Sequence, residues 1–204
     1  MFVQNHMTPS PVTIAPDTAV EEALSLMHRR KCRHLPVVEE GHLVGLVTKR
    51  ILLQALSPGS GGEHVGQDPS LTAKQVMVSR PVTVTPDCPV EEAALLMRDH
   101  KIGSLPVLEG GRLVGIITQT DMVEALVRFF GLRHASTRVV VETHNRAGAL
   151  SEITALIHQR HIPILGIACL YLDGGRIQTV VRLATTNPAP VITALVEKGL
   201  NVRL

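Results

Sequence analysis

The chain contains one pattern twice, in register, so any fold open to it must build two like units from those stretches. Val12-Thr13-Ile14-Ala15-Pro16-Asp17 returns as Val82-Thr83-Val84-Thr85-Pro86-Asp87, and Leu43-Val44-Gly45-Leu46-Val47-Thr48 returns as Leu113-Val114-Gly115-Ile116-Ile117-Thr118, both displaced by 70 residues. So even a repeat is most simply two copies of one supersecondary unit packed together, because one copy alone buries little. The largest chemical difference between the copies falls at Asp121, whose counterpart is Ile51.

Each copy reads as the same series of elements. A short extended segment, Val12 to Ile14 or Val82 to Val84, turns at Pro-Asp. Thr18-Ala19-Val20-Glu21 then has the spacing of a capping box, while Cys88-Pro89-Val90-Glu91 places proline in a tolerated first-turn position. Ala23, Leu26 and Met27, or Ala93, Leu96 and Met97, fall at helical spacing on one stripe. The apolar runs Leu35-Pro36-Val37-Val38 and Leu105-Pro106-Val107-Leu108 predict strands. Turns at Glu39-Glu40-Gly41 and Glu109-Gly110-Gly111 lead into return strands, Leu43 to Val47 and Leu113 to Ile117. Helices are expected next, from Lys49 to Leu56 and from Gln119 to Phe130. Between the copies, Ser57-Pro58-Gly59-Ser60-Gly61-Gly62-Glu63-His64-Val65-Gly66 has the composition of a flexible linker; it lacks the Gly-Lys-Ser/Thr ending of a phosphate loop.

Composition narrows the function. Lys+Arg 20 against Asp+Glu 18 leaves a formal charge of +2, which provides no broad basic footprint for nucleic acid. Apolar residues make up 45% of the chain but aromatics only 2%, so the cores must be built from Leu, Val, Ile, Ala and Met. The N-terminal residues lack the basic-then-apolar order of a secretory signal, and no apolar run approaches the roughly 20 residues that cross a bilayer. Cys32, Cys88 and Cys169 are unclustered and odd in number, which favours small buried thiols in a reducing cytoplasm. No nucleophile elbow or His-Glu-x-x-His is present. Cys32 and His34 share a strand face, but nothing orients them as a pair, and His28, His100, His158 and His161 do not form a plausible metal set. No catalytic residue, catalytic cofactor or metal is expected.

The Leu-Pro-Val strand and the following glycine-apolar-apolar-threonine segment, both doubled, resemble the paired cystathionine-beta-synthase (CBS) domain, or Bateman module. The resemblance covers about residues 1 to 131 and implies a non-catalytic module whose clefts take AMP, ATP or S-adenosylmethionine. Its signature, Gly-x-x-Thr-x-x-Asp, stands intact from Gly115 through Thr118 to Asp121. A carboxylate can accept hydrogen bonds from adjacent ribose hydroxyls, and a threonine at a helix start can meet phosphate beside free backbone amides. Asp121 can equally be an ordinary first-turn residue. Transferring the family pattern places ribose and phosphate on Asp121, Thr118 and Thr120, and the base against Thr13 and Cys32-Arg33-His34. Arg50 is then either a phosphate contact or a solvated helix residue. Ile51 cannot accept the ribose bonds, so the two clefts should be unequal.

Beyond Ala135 the repeat stops. Thr137 to Glu142 predicts a strand, leading through Asn145-Arg146-Ala147-Gly148 to a helix with Leu150, Ile153 and Ile157 on one side. Strands near Ile164 to Tyr171 and Arg176 to Ala184 flank Asp173-Gly174-Gly175, followed by a helix from Pro188 to Glu197 and a last strand from Leu200 to Leu204. This βαββαβ order resembles the ferredoxin-like ACT domain, which commonly pairs side by side and binds amino acids at the interface. That resemblance marks Asn145, Arg146, Gly148 and Leu150, although the family's Asp and Pro are missing from the turn; Gly148 can serve a ligand carboxylate or only the turn itself.

The expected class is therefore α+β, with CBS domains at 1–56 and 71–131, a linker at 57–70 and an ACT-like domain at 137–204. The whole arrangement resembles the bacterial acetoin-utilisation regulatory family. That implies a cytoplasmic homodimer, joined through its CBS and ACT-like domains, that senses an adenosine-containing small molecule and acts on an unidentified target protein. No membrane or nucleic-acid partner is expected. The alternatives are a scaffold without nucleotide binding or an amino-acid sensor.

Overall fold

A computed structural model describes residues 1–56 and 70–204; the linker expected at 57–70 lies outside them apart from Ser70. The chain forms two compact units, Met1–Val123 and Glu124–Leu204.

In the first unit the repeat is visible element by element. Copy one supplies β1 (Thr8–Pro9), α1 (Val20–Arg30), β2 (His34–Glu39), β3 (His42–Thr48) and α2 (Lys49–Leu56). Copy two supplies α3 (Ala73–Val76), β4 (Val78–Ser79), α4 (Val90–Asp99), β5 (Ser104–Glu109), β6 (Arg112–Thr118) and α5 (Gln119–Phe129). The β2–β3 hairpin closes through Glu40 and Gly41 at φ 50° and 80°, and β5–β6 through Gly110 and Gly111 at 55° and 79°. Paired positive φ values are what a tight two-residue hairpin turn demands.

The copies are interlocked. The first strand of each pairs with the last strand of the other: β1 lies antiparallel to β6 and β4 antiparallel to β3. The two return strands meet each other only at His42 and Arg112. The helix starts are exchanged in the same sense, since Val90 N–H donates to Met1 O at 3.0 Å and Val20 N–H to Leu71 O at 2.9 Å. Val3 and Ala73 are both fully buried, and Ala73 joins Ile14, Ala23, Met27, Leu35 and Val47 in the core over copy one. One copy thus completes the core and caps the helix of the other.

This exchange corrects one sequence expectation. The capping box at Thr18 does not form; the N-cap of α1 is Ala19, with no side-chain bond, because the backbone of the other copy already satisfies Val20. The local side-chain cap is instead at α3, where Thr72 N–H donates to Gln75 Oε1 at 2.7 Å. The short extended segments after the prolines pair with the sheet at one residue each, through the parallel bridges Ile14 to Val37 and Val84 to Val107 on the outer sides of β2 and β5.

The repeated glycine in each return strand has a packing reason. A Cβ on Gly115 would overlap the Sδ of Met7, and one on Gly45 would overlap the Sδ of Met77. Both methionines immediately precede an exchanged strand, so each glycine makes room for the crossing arm.

The second unit runs β7 (Thr137–His144), α6 (Ala149–His158), β8 (Ile164–Leu172), β9 (Arg176–Leu183), α7 (Ala189–Glu197) and β10 (Asn201–Arg203). Its sheet is antiparallel throughout, in the order β10-β7-β9-β8. Val139, Val141, Ile153, Ile157, Val181, Leu183, Val191 and Leu195 form its core. The buried stripe of α6 is Ala149, Ile153 and Ile157, spaced by four, and this leaves Leu150 out at 42% exposure. Cys169 is exposed rather than buried, because β8 is an edge strand with only β9 beside it. Glu142, largely covered, meets Arg176 at 2.6 Å and Arg203 at 3.8 Å across three strands.

Gly115→Ala is expected to cost roughly 1–3 kcal/mol of unfolding free energy in urea, the usual range for overpacking a tight site. Adding Met7→Ala should recover part of that loss. Additive effects in the double variant would show that the glycine does not serve the crossing arm.

Candidate functional site

The interlocked copies enclose two clefts related by the repeat. The first, about 480 Å³, is lined by Thr8, Pro11, Val12, Arg30, Lys31, Cys32, Arg33, His34, Ile116, Thr118, Thr120 and Asp121. The second, about 570 Å³, contains the counterpart of every one of these, including Val78 for Thr8, Ile102 for Cys32, Gly103 for Arg33, Ser104 for His34, Arg50 for Thr120 and Ile51 for Asp121. The strands of one copy and the helix start of the other meet in each cleft, which follows from the strand exchange.

In the first cleft Asp121 and Thr118 form a reciprocal cap at the start of α5. Asp121 Oδ2 accepts from Thr118 N–H at 2.8 Å and from the Thr118 hydroxyl at 2.7 Å, while Asp121 N–H approaches Thr118 Oγ1 at 3.4 Å. The first-turn capping role is therefore present, and it holds the carboxylate in place. Oδ1 takes part in none of these bonds. Across the cleft, the Arg33 guanidinium of copy one donates to Thr120 Oγ1 of copy two at 3.3 Å. Arg30, Lys31 and Arg33 make this a cationic wall opposite a single carboxylate.

Of the residues singled out in the sequence, Cys32, Arg33, His34, Thr118, Thr120 and Asp121 are together here. Thr13 is not. Ile14 goes into the core and Val12, on its side of the extended segment, reaches the cleft, so Thr13 is exposed on the opposite side. Arg50 lines the second cleft instead, because it occupies in α2 the position Thr120 occupies in α5. Pro11, Val12, Arg30, Lys31 and Ile116 also line the first cleft, and each has its counterpart 70 residues away in the second one, at Pro81, Val82, His100, Lys101 and Leu46.

Cys32 and His34 both line the first cleft, in surroundings that disfavour a thiolate–imidazolium pair. Burial pushes the Cys32 thiol up, and burial, with the Arg33 charge second, pushes the His34 imidazole down. A thiolate–imidazolium pair needs both shifts reversed. Among the described residues there is no group of three or more His, Cys, Asp or Glu placed to hold a metal ion, and no helix long and apolar enough to cross a membrane.

In the second unit, Asn145, Arg146, Gly148 and Leu150 are all exposed. Arg146 pairs with Glu152 at 2.6 Å, and Asn145 N–H donates to Gly175 O at 2.8 Å. Gly148 sits at φ 86° with nothing within 4 Å of a Cβ built on it, so the backbone conformation of the turn itself requires the glycine.

Fold and clefts together define a class: two α/β repeats, interlocked by strand exchange, enclosing a pair of pseudo-symmetric ligand-sized clefts. The chain belongs to the CBS domain family, whose model matches residues 3–58 and 73–128, more than half of its length. Among solved structures it is similar to the protein named acetoin utilization protein AcuB of Vibrio cholerae, at 31% identity and a TM-score of 0.56 over 65% of this chain and 95% of that one. The CBS domain pair of protein MJ0100, solved with 5′-methylthioadenosine and S-adenosyl-L-methionine, is 26% identical with a TM-score of 0.55 over 62% and 95%. The protein CBSX2, solved with AMP, is 29% identical with a TM-score of 0.52 over 62% and 96%.

The lowered His34 pKa has a stability consequence. An unfolded chain takes up this proton near pH 6.5, whereas the native form resists until lower pH. Stability is therefore lost as pH falls through that value. Urea unfolding of wild type and His34→Gln between about pH 8 and about pH 5.5 should show the wild type losing more stability than the variant. Parallel curves would mean that the native state admits the proton freely.

Proposed function

We propose that this chain is a non-catalytic regulatory protein that binds an adenosine-containing ligand, such as AMP, ATP or S-adenosylmethionine, in the cleft around Asp121. The observation that carries the reading is the held carboxylate: Oδ2 is anchored by Thr118, and Oδ1 is left to accept the ribose hydroxyls. Arg33, Arg30 and Lys31 supply positive charge for phosphate or carboxylate, and Val12, Cys32 and Ile116 an apolar wall for the base. The MJ0100 and CBSX2 structures, which contain adenosine ligands, support this chemistry.

The second unit is read as an ACT-like, ferredoxin-like domain on the strength of its βαββαβ order and its sheet order. Its turn is exposed and its arginine is paired within the chain, so dimerisation is favoured over amino-acid binding as its role. Leu170 and Tyr171 on edge strand β8 are 48% and 76% exposed, and a second copy's β8 laid alongside would cover them and continue the sheet. The homodimer, a cytoplasmic setting, a target protein and a place in acetoin or carbon metabolism complete the reading; the likeness to AcuB supports the last.

Calorimetric titration with AMP, ATP and S-adenosylmethionine should give binding by at least one of them. Asp121→Asn keeps an acceptor for the Thr118 cap and loses the charged ribose acceptor, so affinity should fall about tenfold or more while the variant stays folded. Unchanged affinity would remove Asp121 from the site. For the dimer, analytical ultracentrifugation of Leu170→Asp/Tyr171→Asp should show monomer where the wild type shows dimer; a dimer of undiminished strength would move the interface elsewhere.

A further inference from the structure

The cleft around Ile51 has a chemistry of its own. Arg33, Lys49, Arg50, Arg80 and Lys101 line it, and no carboxylate does. None of these five is ion-paired among the described residues. Lys49 and Arg50 also occupy the first turn of α2, which contains no acid. The helix dipole there repels cations and attracts anions, so their placement is unfavourable until an anion sits between them. A second, independent feature borders the same space: Ser104, only 2% exposed, is among the lining residues, and its buried hydroxyl has no hydrogen-bond partner. A buried hydroxyl without a partner costs free energy that a bound acceptor would recover.

We propose that this cleft binds a small molecule through its phosphoryl groups, held by Arg50, Lys101, Lys49 and Arg80 with the Ser104 hydroxyl donating to one of its oxygens. Ile51 offers no acceptor for a vicinal diol, so recognition rests on the phosphoryl end and not on ribose. About 570 Å³ accommodates two or more phosphoryl groups with room for an apolar portion against Val78, Val82 and Ile102. The site differs from the Asp121 cleft in ligand class, and the protein would read two kinds of small molecule through one interlocked pair.

The probe is inorganic tripolyphosphate, titrated calorimetrically into the full chain. Binding is expected to weaken with added salt. It should fall about tenfold or more in Arg50→Gln/Lys101→Gln and several-fold in Ser104→Ala without loss of thermal stability. A control of equal charge change outside both clefts, Lys74→Gln/Arg112→Gln, should bind as the wild type does. The proposal is overturned if tripolyphosphate gives no binding at millimolar concentration, if the cleft variants bind normally, or if the control loses as much as they do. Absence of adenosine binding by the wild type would sink the reading of the Asp121 cleft and leave these outcomes untouched.

Discussion

The exchange of first strands between the two copies is the constraint from which the rest of the first unit follows. β1 adds to β6 and β4 to β3, so neither copy owns a complete sheet, and each helix start is closed by backbone from the other. Gly45 and Gly115 leave the space that the Met77 and Met7 side chains fill beside the exchanged strands. A Cβ at either position would push on the methionine that precedes the exchanged strand, and Val3 and Ala73, which precede those methionines, are fully buried. The burial of apolar surface that stabilises one copy is therefore shared with the other.

The same exchange builds the clefts and makes them twofold in shape. Each joins the first extended segment and β2-side residues of one copy to the last strand and helix start of its partner. Shape is then common property, and chemistry is decided position by position. Asp121 against Ile51 separates a site with a held carboxylate from one without. Thr120 against Arg50 carries the difference further, toward a cleft lined by cations with no carboxylate. Arg33 and His34 line both spaces.

Much of this was legible in the chain itself. The period of 70, the helical stripes through Met27 and Met97, the hairpins at Gly41 and Gly111, and the βαββαβ order beyond Ala135 are local patterns. Locally encoded patterns survive folding. The readings that changed were those in which a distant segment competes for a local role. Thr18 is a plausible cap until the backbone of Leu71, from the other copy, satisfies the same helix start. Leu150 stands three residues before Ile153, a spacing compatible with one helix face, yet the buried stripe of α6 advances by four from Ala149 and leaves it outside.

The sequence by itself determined that there are two like units and a third unlike one, that the copies differ most at Asp121 and Ile51, and which residues can accept or donate at each helix start. These properties belong to residue identity and to spacing along the chain. Only the tertiary structure decided that the copies trade their first strands, that Arg50 faces the Ile51 cleft and not the Asp121 cleft, that Thr13 turns away while Val12 turns in, and that the Ser104 hydroxyl is buried without a partner. The reason is physical: which copy a strand pairs with, and which side chains converge on one space, depends on contacts between residues far apart in the chain, and no local spacing encodes those contacts.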